Sequence, residues 1–348
     1  MKLLRCSRCV MPNTRPDTPF VDGVCSACIT YANRPTIDWE ARKGMLTDLL
    51  NRHDGSVLVP SSGGKDSCYQ VLTLLDMGAD VTIVTARTCH LTEIGRRNID
   101  NLARYARTIE VTPNMKVRAK LNRLGLELVG DISWPEHAAI FSTPFNVAAQ
   151  TGHTLLMYGE CPQAEYGGPM GTEQAMQMTK RWRSEFGGFL GLRPDDFVGM
   201  EGITERDMAD YTVQAWPEKL EAHFLGQYLP WDSRRNAEVA IDAGMQAELP
   251  TEANWWPAEN LDNAQTGIHD WCMWLKYGFG RGCQQISVDV RAGLVSRGYA
   301  LDWVGRHDGE FPDWYAGVTH TDVLARIGMT RQRFDEIAAR FTNREIHA

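Results

Sequence analysis

An α/β fold, a parallel sheet with helices on both faces, is what this sequence predicts, and three observations predict it. Between residues 55 and about 160, β-branched runs alternate with stretches of helical periodicity. The first run, Ser56-Val57-Leu58-Val59, leads into the glycine-bearing turn Pro60-Ser61-Ser62-Gly63-Gly64-Lys65-Asp66-Ser67. A helical pattern from Ser67 to Gly78 follows that turn at once. Strand, glycine turn and helix in that order aim backbone N–H groups and a positive helix end at an anion.

Ahead of the sheet, Cys6-x-x-Cys9 and Cys25-x-x-Cys28 stand fifteen residues apart. That spacing predicts a tetrahedral zinc site, two thiolates from each tight knuckle. Pro12, Pro16, Pro19, Asp22 and Gly23 make the intervening loop turn-rich. With too little apolar material for a core of its own, a module over residues 1–35 would take its folding energy from a structural Zn²⁺. Residues 36–54 then form an amphipathic linking helix through Ile37, Trp39, Leu46, Leu49 and Leu50.

The sheet domain is expected over 55–215. After Val57–Val59, strands are predicted at Asp80–Ala86, Thr108–Val111 and Thr154–Tyr158, with helices over Thr92–Tyr105, Lys116–Leu128 and Glu136–Gln150. Right-handed crossovers place the loops after strands one, two and four around one crevice. In the first loop the glycines admit close approach of an anion, Ser62 and Ser67 supply hydroxyls, Lys65 a cation, and Asp66 a carboxylate suited to Mg²⁺. In the second, Arg87-Thr88-Cys89-His90 makes a wall for an adenine or ribose. The fourth runs Gly159-Glu160-Cys161-Pro162-Gln163-Ala164-Glu165-Tyr166-Gly167, where Glu160 or Glu165 can hold Mg²⁺ or orient a sugar hydroxyl.

Residues 216–348 read as a mostly helical, aromatic-rich region, a substrate-binding part or lid. Ile268, Trp271, Cys272 and Leu275 form one apolar stripe, while His269 and Lys276 share another face two turns apart. Gly278 and Gly280 end that helix and leave Arg281 beside its C-terminus, where a basic cluster could close on phosphate or carboxylate oxygens. Thr321–Phe341 reads as two helices joined at Gly328-Met329-Thr330, packed against the body rather than on DNA.

Composition narrows the function classes. A net charge of −8 with no dense Lys/Arg run argues against nucleic acid, whose binding needs phosphate neutralisation. No apolar run reaches the length of a membrane span, and Met1–Cys6 carries no apolar leader core, so a cytoplasmic protein is expected. Nine cysteines in that setting do not form a disulfide framework.

Ser62–Ser67 resembles the SGGxDS pyrophosphate loop of the PP-loop ATP pyrophosphatases, which share the adenine nucleotide α-hydrolase-like fold. Taken with the double CxxC, the Gly159–Gly167 loop, Tyr228-Leu229-Pro230-Trp231-Asp232, Glu259-Asn260-Leu261-Asp262 and His269-Asp270…Lys276-Tyr277-Gly278-Phe279-Gly280-Arg281, the chain resembles the N-acetyl sugar amidotransferases of bacterial surface-glycan (O-antigen, pseudaminic and legionaminic acid) synthesis. The resemblance implies ATP-dependent conversion of a sugar acetamido group to an acetamidino group, with AMP and pyrophosphate released. It implies ATP bound by Ser62, Gly63, Gly64, Lys65, Asp66, Ser67, Arg87, Gly159 and Arg281, with Mg²⁺ on Asp66. Lys65, Asp66, Glu160 and Lys276 would carry the chemistry, and Glu165, Tyr166, Trp231, Asp232, His269 and Asp270 would meet the sugar, free or UDP-linked. Ammonia would come from separate glutaminase and cyclase-like partner proteins, since Cys68, Cys89, Cys161, Cys272 and Cys283 lack a glutaminase setting; a homodimer is compatible with all of this. Cys161 departs from the polar residue expected in the family's Gly-Glu loop, a change that either alters sugar choice or is neutral. The competing readings are a PP-loop tRNA sulfurtransferase and a non-catalytic nucleotide-binding scaffold.

Overall fold

A computed structural model describes residues 3–160, 176–247 and 253–347. The double CxxC region folds around a two-stranded hairpin, β1 (Phe20–Val21) and β2 (Val24–Cys25), followed by helix α1 (Ser26–Asn33). Helix α2 (Trp39–Arg52), capped by the Asp38 carboxylate on the Ala41 N–H, leads into the central sheet. Its strands are β3 (Ser56–Pro60), β4 (Asp80–Ala86), β5 (Arg107–Val111), β6 (Leu155–Tyr158) and β7 (Glu221–Phe224). They pair in parallel throughout, in the order β5-β4-β3-β6-β7. The crossovers of the first four run through α3 (Lys65–Asp76), α4 (Glu93–Leu102), and α5 (Met115–Val129) with α6 (Trp134–Thr151).

Strand periodicity decides the layers. Val57 and Val59 of β3 pack with Leu46 and Leu49 of α2, Val71 and Leu74 of α3, and Ala240 of helix Ser233–Asp242. Leu58, between them, points to the opposite face, against Phe145 and Ala148 of α6. Both faces are therefore covered, and the order reverses between β3 and β6. At such a switch point the first loops after the two strands diverge and leave a crevice beyond their carboxyl ends.

The sheet runs on past residue 215 through its fifth strand. Glu-Ala-His-Phe at 221–224 is a short edge strand in a segment read as helical, and only its ladder with β6 makes it a strand. The knuckle also docks elsewhere than on the sheet. Cys6, Cys9, Val10, Met11 and Cys28 share a core with Phe279, Cys283, Ile286 and Val304 of the C-terminal region. Arg297 donates from Nε to the Cys6 and Cys9 carbonyls, each at 3.0 Å, and Arg5 reaches the Val10 carbonyl at 2.8 Å.

The C-terminal region carries helices Thr266–Tyr277, Arg281–Arg291 and Arg297–His307, a hairpin of β8 (Trp314–Tyr315) and β9 (Val318–Thr319), and helices His320–Arg326 and Arg331–Phe341. The last two pack Val323, Leu324, Phe334 and Ile337 on Ile268 and Cys272, as the two-helix reading expected. Among the described residues no helix is long and apolar enough to cross a membrane.

Candidate active site

The turn after β3 is built from inside. The Ser61 hydroxyl accepts from the Gly63 N–H at 2.9 Å and donates to the Ser67 hydroxyl at 2.8 Å, closing the turn on the first turn of α3. Gly63 has φ +81°, and a Cβ there would lie 2.7 Å from the Ile99 nitrogen of α4. Only glycine meets both demands. Gly64 is the N-cap of α3 and offers no side chain to its first-turn N–H groups, which leaves them for a ligand.

This turn forms one end of a cleft of about 370 Å³. Along it lie Ser62, Gly63, Gly64, Lys65, Asp66 and Ser67, then Gly159 and Glu160 at the end of β6, Thr88 and Asn98 beside β4, and Glu259–Asn263 and Arg281 from the C-terminal region. The Lys65 amine is buried, bonded to its neighbour Asp66 and to Glu259 at 2.9 Å. Asp66 also accepts from the Asn236 amide at 2.8 Å. Burial, with the Asp66 carboxylate beside it, pushes the Glu160 carboxyl up to about 7. Burial likewise raises Asp262 to about 6.

The Glu259–Asn263 segment reaches the cleft because it is stitched to the loop after β4. The Thr92 N–H donates to Asp262 at 3.1 Å, the Ala264 N–H to His90 at 3.0 Å, and Leu91 bridges Asn263. A Cβ on Gly95 would lie 2.5 Å from the Asp262 Cα, so the approach depends on that glycine. Arg281 is held by the Asp270 carboxylate, Nε to Oδ2 at 2.9 Å and Nη2 to Oδ1 at 3.0 Å, which keeps the guanidinium charged despite burial. Deeper in, the buried Arg118–Glu136 pair at 2.9 Å is completed by Asn122 and Gln265, both 2.7 Å from the Glu136 carboxylate.

The cleft thus gathers Ser62, Gly63, Gly64, Lys65, Asp66, Ser67, Gly159, Glu160, His269 and Arg281 from the residues singled out by sequence. It leaves others aside. Among the described residues Arg87 is exposed, its backbone N–H donating to the Val111 carbonyl, and the residue after β4 that lines the cleft is Thr88. Lys276 donates to the Val129 carbonyl at the end of α5 at 3.2 Å and does not line the cleft. Asp232 is an exposed N-cap accepting from the Arg234 and Arg235 N–H groups. Trp231 packs behind Gly159 and edge-on to Tyr69, 5.7 Å between centroids. Asp270 acts on Arg281 rather than on the cleft. Glu165 and Tyr166, with Cys161, lie outside the described residues. Glu259, Asn236 and Asp262 were missed as site residues: Glu259 and Asp262 stand in a quoted motif, but nothing local says that they face Lys65.

The second cluster is the knuckle. One sulfur from each of Cys6, Cys9, Cys25 and Cys28 lies within 4.8 Å of every other, all four buried. Cys9 and Cys25 are 3.7 Å apart, close to the edge of about 3.8 Å that Zn–S bonds of about 2.3 Å set in a tetrahedron. The N–H groups of Arg8 and Cys25 point at the Cys6 sulfur at 3.4 and 3.3 Å, and that of Met11 at the Cys9 sulfur at 3.5 Å. Backbone donors aimed at sulfur suit thiolates, so the residues fit zinc.

Residues 253–347 match the family model described as "LPS biosynthesis protein WbpG-like, C-terminal domain". That stretch holds Glu259–Asp262, His269, Asp270 and Arg281, and the match bears out the family resemblance drawn from the motifs. No curated protein matches the chain. Among solved structures, an NMN synthetase from Francisella tularensis is similar over 60% of this chain and 95% of its own, at 12% identity and a TM-score of 0.29.

Proposed function

We propose, taking a chain whose C-terminal residues are similar to the WbpG-like domain as premise, that the cleft belongs to an ATP-using enzyme of lipopolysaccharide synthesis. Its reaction is the amidation of an N-acetyl sugar. The observation that carries this reading is the Lys65–Glu259 ion pair. It joins the anion-binding turn of the sheet to the very segment that matches the family, so nucleotide and sugar parts share one cleft.

The chemistry explains the parts. An amide carbonyl is a weak electrophile and its oxygen a poor leaving group. Attack of the acetamido oxygen on the α-phosphorus of ATP forms an O–P bond and expels pyrophosphate. Ammonia then adds to the imidate carbon, a proton is lost, and AMP leaves with the original oxygen, so C=NH replaces C=O. The N–H groups after Gly64, the Ser62 and Ser67 hydroxyls and Lys65 hold the departing pyrophosphate charge. Arg281, fixed by Asp270, meets anionic oxygen from the opposite wall. Asp66 and Glu160 would hold Mg²⁺, which offsets phosphate charge; the raised Glu160 carboxyl marks a place where negative charge is already crowded.

Ammonia is supplied by a separate glutaminase in this reading. Cys68 and Cys89 have thiols raised to about 11, and Cys272 to about 12, in each case by burial, the reverse of an activated nucleophile. The same thiols weigh against a sulfurtransferase that needs a catalytic cysteine.

The test incubates the protein with ATP, Mg²⁺, an ammonium salt and a panel of free and UDP-linked acetamido sugars. AMP release with one sugar, and a product mass corresponding to NH in place of O, is expected. ATP binding without AMP from any sugar overturns the reaction and favours the scaffold. Salt-dependent tRNA binding with sulfur transfer favours the RNA enzyme.

A further inference from the structure

A second constellation lies beside the same cleft, meeting it through His137 and His269, and has no part in the scheme above. Asp131 sits in the short connection between α5 and α6, His137 in the first turn of α6, and His269 in helix Thr266–Tyr277. One ring nitrogen from each histidine and one Asp131 oxygen all lie within 4.8 Å of one another. Asp131 is almost fully buried, while both histidines open to the cleft.

We infer that Asp131, His137 and His269 form a binding site for a first-row divalent cation such as Zn²⁺, with an open position facing the cleft.

Three features carry this. The donor set, two imidazoles and one carboxylate, is that of zinc and other first-row sites that keep a position free for water or substrate oxygen. The His137 Nδ1 stands 3.7 Å from Asp131 Oδ2, too far for a hydrogen bond, and this buried nitrogen has no hydrogen-bond partner among the described residues. Two ligands bound at about 2.0–2.2 Å around one tetrahedral ion are about 3.4 Å apart, so the gap has the width that an ion spans.

The surroundings are those of a prepared ligand set. The Ser133 N–H donates to Asp131 Oδ1 at 2.8 Å, which fixes the carboxylate and turns Oδ2 toward His137. His269 Nδ1 also meets Oδ1 at 2.8 Å. The two rings stand edge to face, 5.3 Å between centroids. The nearby cations do not fill the space: Arg281 is committed to Asp270 and Lys276 to the Val129 carbonyl. The ligands come from the sheet domain and from the family-matched region, so an ion here would tie the two walls of the cleft together, some way from the pyrophosphate turn. The site stands whatever the enzyme's substrate.

Metal counting on the full chain tests it. Purified protein dialysed against trace Zn²⁺ and analysed for metal is expected to carry two equivalents, one on the four thiols and one here. His137→Gln and Asp131→Asn should each hold one, while the control His307→Asn keeps two. A wild type with a single equivalent, or a second equivalent that survives both variants, overturns the inference. Should a variant lose both ions by unfolding, Co²⁺ added to wild type carrying a single equivalent of Zn²⁺, held on the four thiols, decides. A visible band of nitrogen and oxygen ligation without thiolate charge transfer supports the site, and its absence overturns it.

Discussion

The knuckle and the cleft make an instructive pair, because each gathers polar ligands where a small core would otherwise stand. In the knuckle, the four ligands come from one stretch, Cys6 to Cys28, and two identical spacings announce them. In the cleft, Lys65, Glu160, Glu259 and Arg281 come from the sheet domain and the C-terminal region alike. The knuckle does not touch the cleft, yet it shares its core with Cys283 and Ile286 of the helix that begins at Arg281. One cluster is a four-thiol set that suits zinc; the other is a polar set whose Arg281 begins a helix packed on that module.

The largest effect expected follows from that division. Zinc binding to a four-cysteine peptide is worth about 10–16 kcal/mol near neutral pH, more than most domains hold in reserve. Cys25→Ser, or a strong chelator, should release the metal, lower the melting temperature and reduce AMP formation with it, although none of the four knuckle thiols lines the cleft. Thermal melts and AMP assays with and without chelator check this. A melt that chelation does not move would mean that the knuckle folds without metal.

Next comes the pair that joins the two walls. Lys65→Met leaves Glu259 and Asp66 without the cation they share and, in the proposed reading, removes a donor to phosphate. Loss of one such donor costs about 10²–10³ in rate. Glu259→Gln keeps Lys65, still paired with Asp66, and should slow AMP formation less while weakening stability by about 2 kcal/mol, the order of one hydrogen bond to a charged group. Equal losses in both variants would show that Glu259 acts on substrate rather than on Lys65. A smaller step is Asn236→Ala, which removes one hydrogen bond from Asp66, about 1 kcal/mol, and should raise the Mg²⁺ concentration needed for half-maximal AMP release.

How much of this could be read in advance divides along the same line. The sheet was legible where strands are β-branched and buried, as at Val57–Val59 and Asp80–Ala86. It was not legible at β7, whose four residues gain strand character only from pairing with β6. Gly63 and Gly64 were legible because a turn that must approach an anion has few alternatives to glycine. Lys276 and Arg281 lie one and a half turns apart around a helix break, and no periodicity says that Arg281 enters the cleft while Lys276 caps α5. Asp232 and Arg87 show the same limit: polar residues at element ends cap helices and face solvent as readily as they bind ligands. Glu259 depends on a docking of two regions that only Gly95 permits, and a glycine's missing side chain carries no label of what it admits.

The smallest effect lies at the seam between the two regions. Asp308 accepts the Gly280 N–H at 3.0 Å, just ahead of Arg281, and burial raises its carboxyl from 3.8 to about 6. In the folded protein it therefore keeps its proton through a window in which the unfolded chain has already released it. Where the folded state binds more protons, stability falls as pH rises. The contribution is present below the unfolded value, declines between about pH 4 and pH 6 and is level above, once both states are ionised. Asp308→Asn keeps an acceptor for Gly280 and cannot ionise, so its melting temperature should lack that decline and stand above the wild type's near neutral pH. Melts of both proteins across the window decide: parallel curves would place the proton elsewhere, and a variant less stable at every pH would mean that the carboxylate is held by Arg5 rather than penalised by burial.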